Sequence, residues 1–279
     1  MQSDPRHGMQ ALLIGAIGSS ALVIGGTLGA LWRPPMRWTG VLLAFASGTL
    51  LSALAFELFP DAVEDGGLMP AGLGLLAGAL TFVVVNTLLD ARVARSAGDP
   101  HQMPAVPDEA AERLRGAEAQ QTERVEDAAR GGKPLAVGLA LVAAVTLDGV
   151  PENVALGVSM ATDAGGGFSL ALLVAIFSSN LPESLAGAVS MRRGGRSAAF
   201  AIAVWTVTAV VLTFAVVAGR ATALGLGAAQ LAFAAAFAGG AVLASLADTL
   251  MPEAFEHGRP LNAMATTAGF FLSFLLAQP

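Results

Sequence analysis

Asp148 and Glu152 stand one helical turn apart, with Pro151 between them, in the stretch LDGVPENVALGVSMA (147–161). Carboxylates at that spacing project from one face of a helix. Inside an apolar run such a pair binds a cation or carries protons. Pro151 removes a backbone N–H and disturbs the turn before it, which frees the carbonyl of Leu147 as a further oxygen ligand or water site. A second stretch, SSNLPESLAGAVSMR (178–192), repeats the theme with Asn180, Pro182 and Glu183. Aligned on Pro-Glu, both copies run on to Val-Ser-Met, and Gly149 of the first stands where the second has Asn180. Broken helices in corresponding positions of a repeat mark the substrate site of many transporters.

The elements that must position these residues are apolar helices. Only 13% of the 279 residues are charged, 54% are hydrophobic, and the mean hydropathy is +0.66. Globular chains carry about 25% charged residues, and here the charges gather in a few short segments, a pattern that fits lipid as solvent. A ruler of roughly 20 apolar residues per crossing predicts eight spans near 9–31, 37–59, 68–90, 134–161, 168–190, 197–219, 223–251 and 261–278. The fold class expected is therefore all-α, a single polytopic membrane domain over 1–279 with helices four and five broken. The first run is too long for the apolar core of a signal peptide and reads as a retained span. The one long polar segment, 91–133, reads as a solvated, partly helical linker.

Lys and Arg set the orientation, because cytoplasmic loops hold an excess of them. With the N-terminus outside, the inner loops collect Arg33, Arg37, Arg92, Arg95, Arg113, Arg115, Arg124, Arg130, Lys133, Arg192, Arg193, Arg196 and Arg259. Only Arg6 and Arg220 fall outside. Both termini are then extracytoplasmic, the 91–133 loop is cytoplasmic, and the chain is a multi-pass protein of the cell membrane.

Five acids fall within predicted spans: Glu57, Asp148, Glu152, Glu183 and Asp248. Each costs about 2.5–3.5 kcal/mol at mid-span, and the sequence places no Lys or Arg deep in a span to pair with them. A metal cation or protons are the natural neutralisers. Glu57 lies in FELFPDAVEDGG near the end of span two, with Asp61, Glu64 and Asp65 in the outer loop, either as a cation-concentrating vestibule or as an ordinary solvated turn. Asp248 lies in LADTLMPEAFEHG at the inner end of span seven. The absence of cysteine excludes thiolate ligands and disulfides. A net charge of −6 without a basic face argues against nucleic acid.

With these motifs and this layout the sequence resembles the ZIP (Zrt/Irt-like) family of divalent-metal transporters. Asp148-Gly149-Val150-Pro151-Glu152-Asn153 and Ser179-Asn180-Leu181-Pro182-Glu183-Ser184 are similar to the family's His-Asn-x-Pro-Glu-Gly stretch on helix four and its related stretch on helix five. Asp248 ahead of Pro252-Glu253 resembles its His-Glu-x-x-Pro-Glu region. The resemblance implies eight helices, both termini outside, and a metal path between helices four and five. It carries Glu152 and Glu183 over directly as ligands bridging two metals. Asp148 stands where the family usually has His, Asn180 where Asp is common, and Gly149 where the motif has Asn. Span six carries no acid at all.

The metal set expected is thus Asp148, Glu152, Asn180 and Glu183, with Asp248 and Glu57 contributing. An all-oxygen set suits Mn²⁺, Mg²⁺ or Ca²⁺, and Fe²⁺ less selectively, while zinc stays open because carboxylates bind it and affinity order favours it. One principal site is expected, with the second weakened or lost. The leading function is uptake of a divalent cation by a secondary transporter, since no P-loop motif is present for nucleotide-driven pumping. A non-transporting membrane protein that binds metal as a sensor or structural element is the alternative. An intramembrane hydrolase lacks the necessary motif, so no enzymatic activity and no resident cofactor are expected. Partners are the cation and the bilayer, with a homodimer left open.

Overall fold

The computed structural model describes residues 5–32, 34–96, 149–161, 168–193 and 195–278, and every regular element among them is helical. In chain order these are α1 (Pro5–Leu31), α2 (Met36–Ala53), α3 (Phe59–Gly66), α4 (Leu68–Ser96), α5 (149–161), α6 (Leu170–Arg193), α7 (Ala198–Ala223), α8 (Ala228–Ser245), α9 (Met251–Gly258) and α10 (Asn262–Leu276). Among the described residues six stretches are long and apolar enough to cross a membrane: Gly8–Leu31, Arg37–Gly66, Leu68–Leu88, Leu170–Arg193, Ala198–Ala223 and Ala228–Gly258. Helices suit that setting because each satisfies its own backbone hydrogen bonds. Leu73, Leu76, Leu80 and Val83 of α4 and Phe214 of α7 point outward and exposed, a surface made for lipid rather than water. Asn262–Leu276 is shorter than a full crossing, and of the expected span 134–161 only the α5 part lies within the described residues.

Two joints depart from the sequence expectation. The second span does not end near residue 59 but continues through a π-helical turn, Leu54–Leu58, into α3. Asp61, Glu64 and Asp65 therefore lie on a helix, not in a loop. The seventh behaves the same way: the π-helical turn Leu246–Leu250 leads into α9. The cause is proline. Pro60 and Pro252 open the helices that follow, and a proline ring would strike the carbonyl four residues before it. Adding one residue to the preceding turn removes that clash. The N–H of Phe59 accordingly donates to Leu54 O and that of Met251 to Leu246 O, each five residues back.

The two joints are copies of one sequence. FASGTLLSALAFELFPDAVEDG (45–66) and FAGGAVLASLADTLMPEAFEHG (237–258) share Phe-Ala, the following Gly, Leu-Ala within the π turn, and the Pro-acid-Ala that follows. Each copy packs against the helix that succeeds the other, α2 on α10 and α8 on α4. The equivalent glycines Gly48 and Gly240 allow both crossings. A Cβ on Gly48 would overlap the carbonyl of Thr266, and one on Gly240 the carbonyl of Leu75.

Between these pairs, α6 runs beside α1 and α2, and α1 also packs along α7. Leu156, Met160, Ile176, Leu50 and Leu54 fill the core where these helices meet. Helix α7 extends to Ala223, so Arg220 sits in its last turn and is 5% exposed, not in an outer loop. A cation there is favoured by the helix dipole and by its long apolar stem.

Candidate cation site

Helices α5 and α6 carry the Pro-Glu repeat, and each proline shapes its helix. Pro182 is interior to α6, so the carbonyl of Ser178 loses its usual helical donor. The next residue, Ser179, links the two helices. Its hydroxyl lies 3.2 Å from Glu152 Oε2 and 3.0 Å from Ile176 O, so a single proton serves both acceptors. Glu152 is 4% exposed and Ser179 is fully buried. Glu183, one residue after Pro182, is half-buried on α6.

Each repeat helix also carries a buried amide. Asn180 is 1% exposed, and neither its Oδ1 nor its Nδ2 has a hydrogen-bond partner. Asn153 is fully buried on α5; its Nδ2 donates to Gly149 O at 2.8 Å, and its Oδ1 has no partner. A buried polar atom left unpaired costs about 1–3 kcal/mol, and most such atoms in folded proteins are paired. Three amide atoms on the two repeat helices are thus buried without a hydrogen-bond partner.

The remaining expected residues make their contacts elsewhere. Glu57, in the first π turn, accepts a hydrogen bond from Ser169, whose hydroxyl also accepts the N–H of Leu172 at 2.9 Å. Ser169 is thus the N-cap of α6, and Glu57 sits at a helix N-terminus, where an acid is favoured. Asp248, in the second π turn, is exposed and takes a hydrogen bond from Asn86 Nδ2 of α4 at 2.8 Å. Asp148 and Leu147 lie outside the described residues. Among the described residues no three His, Cys, Asp or Glu side chains gather closely enough to hold a metal by themselves. The oxygen-bearing side chains that α5 and α6 carry are mixed in kind, carboxylate with amide and hydroxyl: Glu152 and Glu183, Asn153 and Asn180, and Ser179.

Sequence reasoning passes over Ser169, Asn86 and Asn153. The first two join segments far apart in the chain and carry no local signal. Asn153 does carry one, because it lies four residues after Gly149 and so on the same helix face. No protein-family model matches the chain, and no curated protein matches it.

Proposed function

We propose that this chain is a secondary transporter that takes a divalent metal cation across the cytoplasmic membrane into the cell. The observation that carries this reading is Glu152: a carboxylate 4% exposed, on an apolar helix beside a proline, next to the orphaned amide region of α6. Such a group is costly unless a mobile cation or proton neutralises it. Glu152 and Glu183 supply the charge, Asp148 adds a third carboxylate one turn before Glu152, and Asn180 supplies neutral oxygen. Glu57 and Asp248 stand in the two π turns as acids along the route to and from that site.

In this reading the fold has eight spans: α1, α2 with α3, α4, the 134–161 span ending in α5, α6, α7, α8 with α9, and α10. Both termini face outward and the 91–133 segment faces the cytoplasm, as the Lys and Arg bias supports. The layout and the paired Pro-Glu motifs support kinship with the ZIP family. The gradient of the cation and the membrane potential drive the movement, and one helix group rocks against another around a fixed site. No bond is made or broken.

The test is uptake into proteoliposomes from a panel of Zn²⁺, Fe²⁺, Mn²⁺, Mg²⁺, Ca²⁺ and Cd²⁺. The wild-type chain is expected to accumulate at least one of them, and Glu152→Ala and Glu183→Ala to abolish accumulation. Wild-type uptake by both variants sinks the site. Tight metal binding without any uptake favours the sensor or structural alternative.

A further inference from the structure

We propose that Arg220 is the fixed counter-charge of Glu152, a positive group on α7 that offsets one carboxylate of the cation site. This rests on the reading of Glu152 as a cation ligand and adds the residue that sets how tightly the cation is held.

The two side chains stand apart from every other charge. Among the described residues, Glu152 at 4% exposure and Arg220 at 5% are the only charged side chains that are buried. Their signs are opposite, and their helices touch. A Cβ on Gly219 would lie 2.5 Å from the carbonyl oxygen of Val154, and one on Gly157 would lie 2.8 Å from the backbone nitrogen of Arg220. At the other end of α5, a Cβ on Gly149 would come 2.6 Å from Leu212 Cδ1. Glycine therefore brings α5 and α7 together along the described length of α5. The approach of Val154 to Gly219 falls two residues after Glu152 and one before Arg220. Because Gly149 meets Leu212 and Gly157 meets Arg220, the two helices run in the same direction. An arginine on a helix leans back over the preceding turn, and on α7 that lean is toward the half of α5 that holds Glu152.

No other acid of the neighbouring helices competes for this role. Helix α1 lies beside the same part of α7, where Gly15 meets Val216, and neither α1 nor α7 contains an acid. Among the described residues of α5 the single acid is Glu152. Arg220 Nε and Nη1 are buried without a hydrogen-bond partner, so the charge acts through space at those atoms. Away from water and salt, unit charges act on each other over roughly 10 Å. A buried charge with no opposite charge in reach is strongly unfavourable; here each answers the other.

The consequence is affinity. The proposed site holds three carboxylates, Glu152, Glu183 and Asp148, one more than a divalent ion neutralises. A transport site must bind its ion weakly enough to let it leave. The positive charge of Arg220 offsets the surplus carboxylate.

The experiment reads the full chain in two ways. The first is metal-free: heating in detergent with a chelator, followed by size-exclusion chromatography. Glu152→Gln leaves Arg220 without its counter-charge and is expected to lower the midpoint by about 5 °C or more. Adding Arg220→Gln is expected to recover at least half of that loss, because a neutral pair replaces a buried ion pair at little cost. Additive losses, or a double variant that does not fold, overturn the pairing. The second readout is Mn²⁺ binding in nanodiscs at one mildly alkaline pH, by electron paramagnetic resonance of the free ion. Arg220→Gln is expected to bind Mn²⁺ about tenfold more tightly as the repulsion is lost, a change that a merely structural arginine does not produce. Binding within about twofold of wild type, or weaker, overturns the role in the site. Glu152→Gln separates the two levels. If it binds Mn²⁺ like wild type while the double variant recovers stability, the reading of Glu152 as a ligand falls and the pairing stands.

Discussion

The two π turns share a backbone and differ in chemistry. Both precede a proline, both slip the hydrogen bond by one residue, and both pack through an equivalent glycine. At the same position in the turn, however, the first copy has Phe56 and the second has Asp248. Phe56 meets Phe270 and Phe274 of α10 edge-on, at 5.8 and 5.0 Å between ring centres. Asp248 instead bonds Asn86 of α4. One position later Glu57 engages Ser169 at the start of α6, whereas Thr249 returns its hydroxyl to Ser245 O in its own helix. The lesson is a division of labour. Proline and small residues dictate the joint, and single side chains decide whether it anchors the bundle or presents an acid.

The largest expected effect tests the shared part. Gly48→Leu and Gly240→Leu each force a side chain into the backbone of the facing helix, and each is expected to destabilise by about 3 kcal/mol. Heating in detergent followed by size-exclusion chromatography reads this as equal loss of the folded peak, and survival of either variant breaks the equivalence of the crossings. Exchanging the side chains comes next. Phe56→Asp removes two aromatic contacts and is expected to cost about 2 kcal/mol. Asp248→Phe gives up one exposed hydrogen bond and is expected to cost about 1 kcal/mol or less. Equal melting shifts for these two would mean that the copies do not divide anchoring from presentation. The smallest contrast is at the hydroxyls. Ser169→Ala is expected to lose about 1 kcal/mol with the α6 cap, and Thr249→Ala about 0.5 kcal/mol or less. A larger loss for Thr249→Ala would reverse the comparison.

Much of the helical layout is legible in the sequence, because a lipid-facing helix must be apolar along its whole length. The ends are less so. Asp61, Glu64 and Asp65 look like loop residues because Pro60 and several charges follow an apolar run, yet the π turn lets the helix pass the proline and continue to Gly66. Arg220 looks like an outer-loop charge because polarity is read locally, yet it is buried where α7 meets its neighbours. Of the candidate site, Glu152, Asn180 and Glu183 stand out by motif.

By itself the sequence determined the apolar helical class, the Pro-Glu repeat on two successive helices, and the acids that an apolar setting makes costly. Each of these depends on residues within a few turns of one another. Only the tertiary structure decided that the Glu57 and Asp248 joints pass through π turns and find different partners, that Ser179 ties Glu152 to α6, and that Leu212 fills the space beside Gly149. Hydrogen-bond satisfaction and close packing depend on atoms brought from distant parts of the chain, and periodicity along one helix carries no record of them.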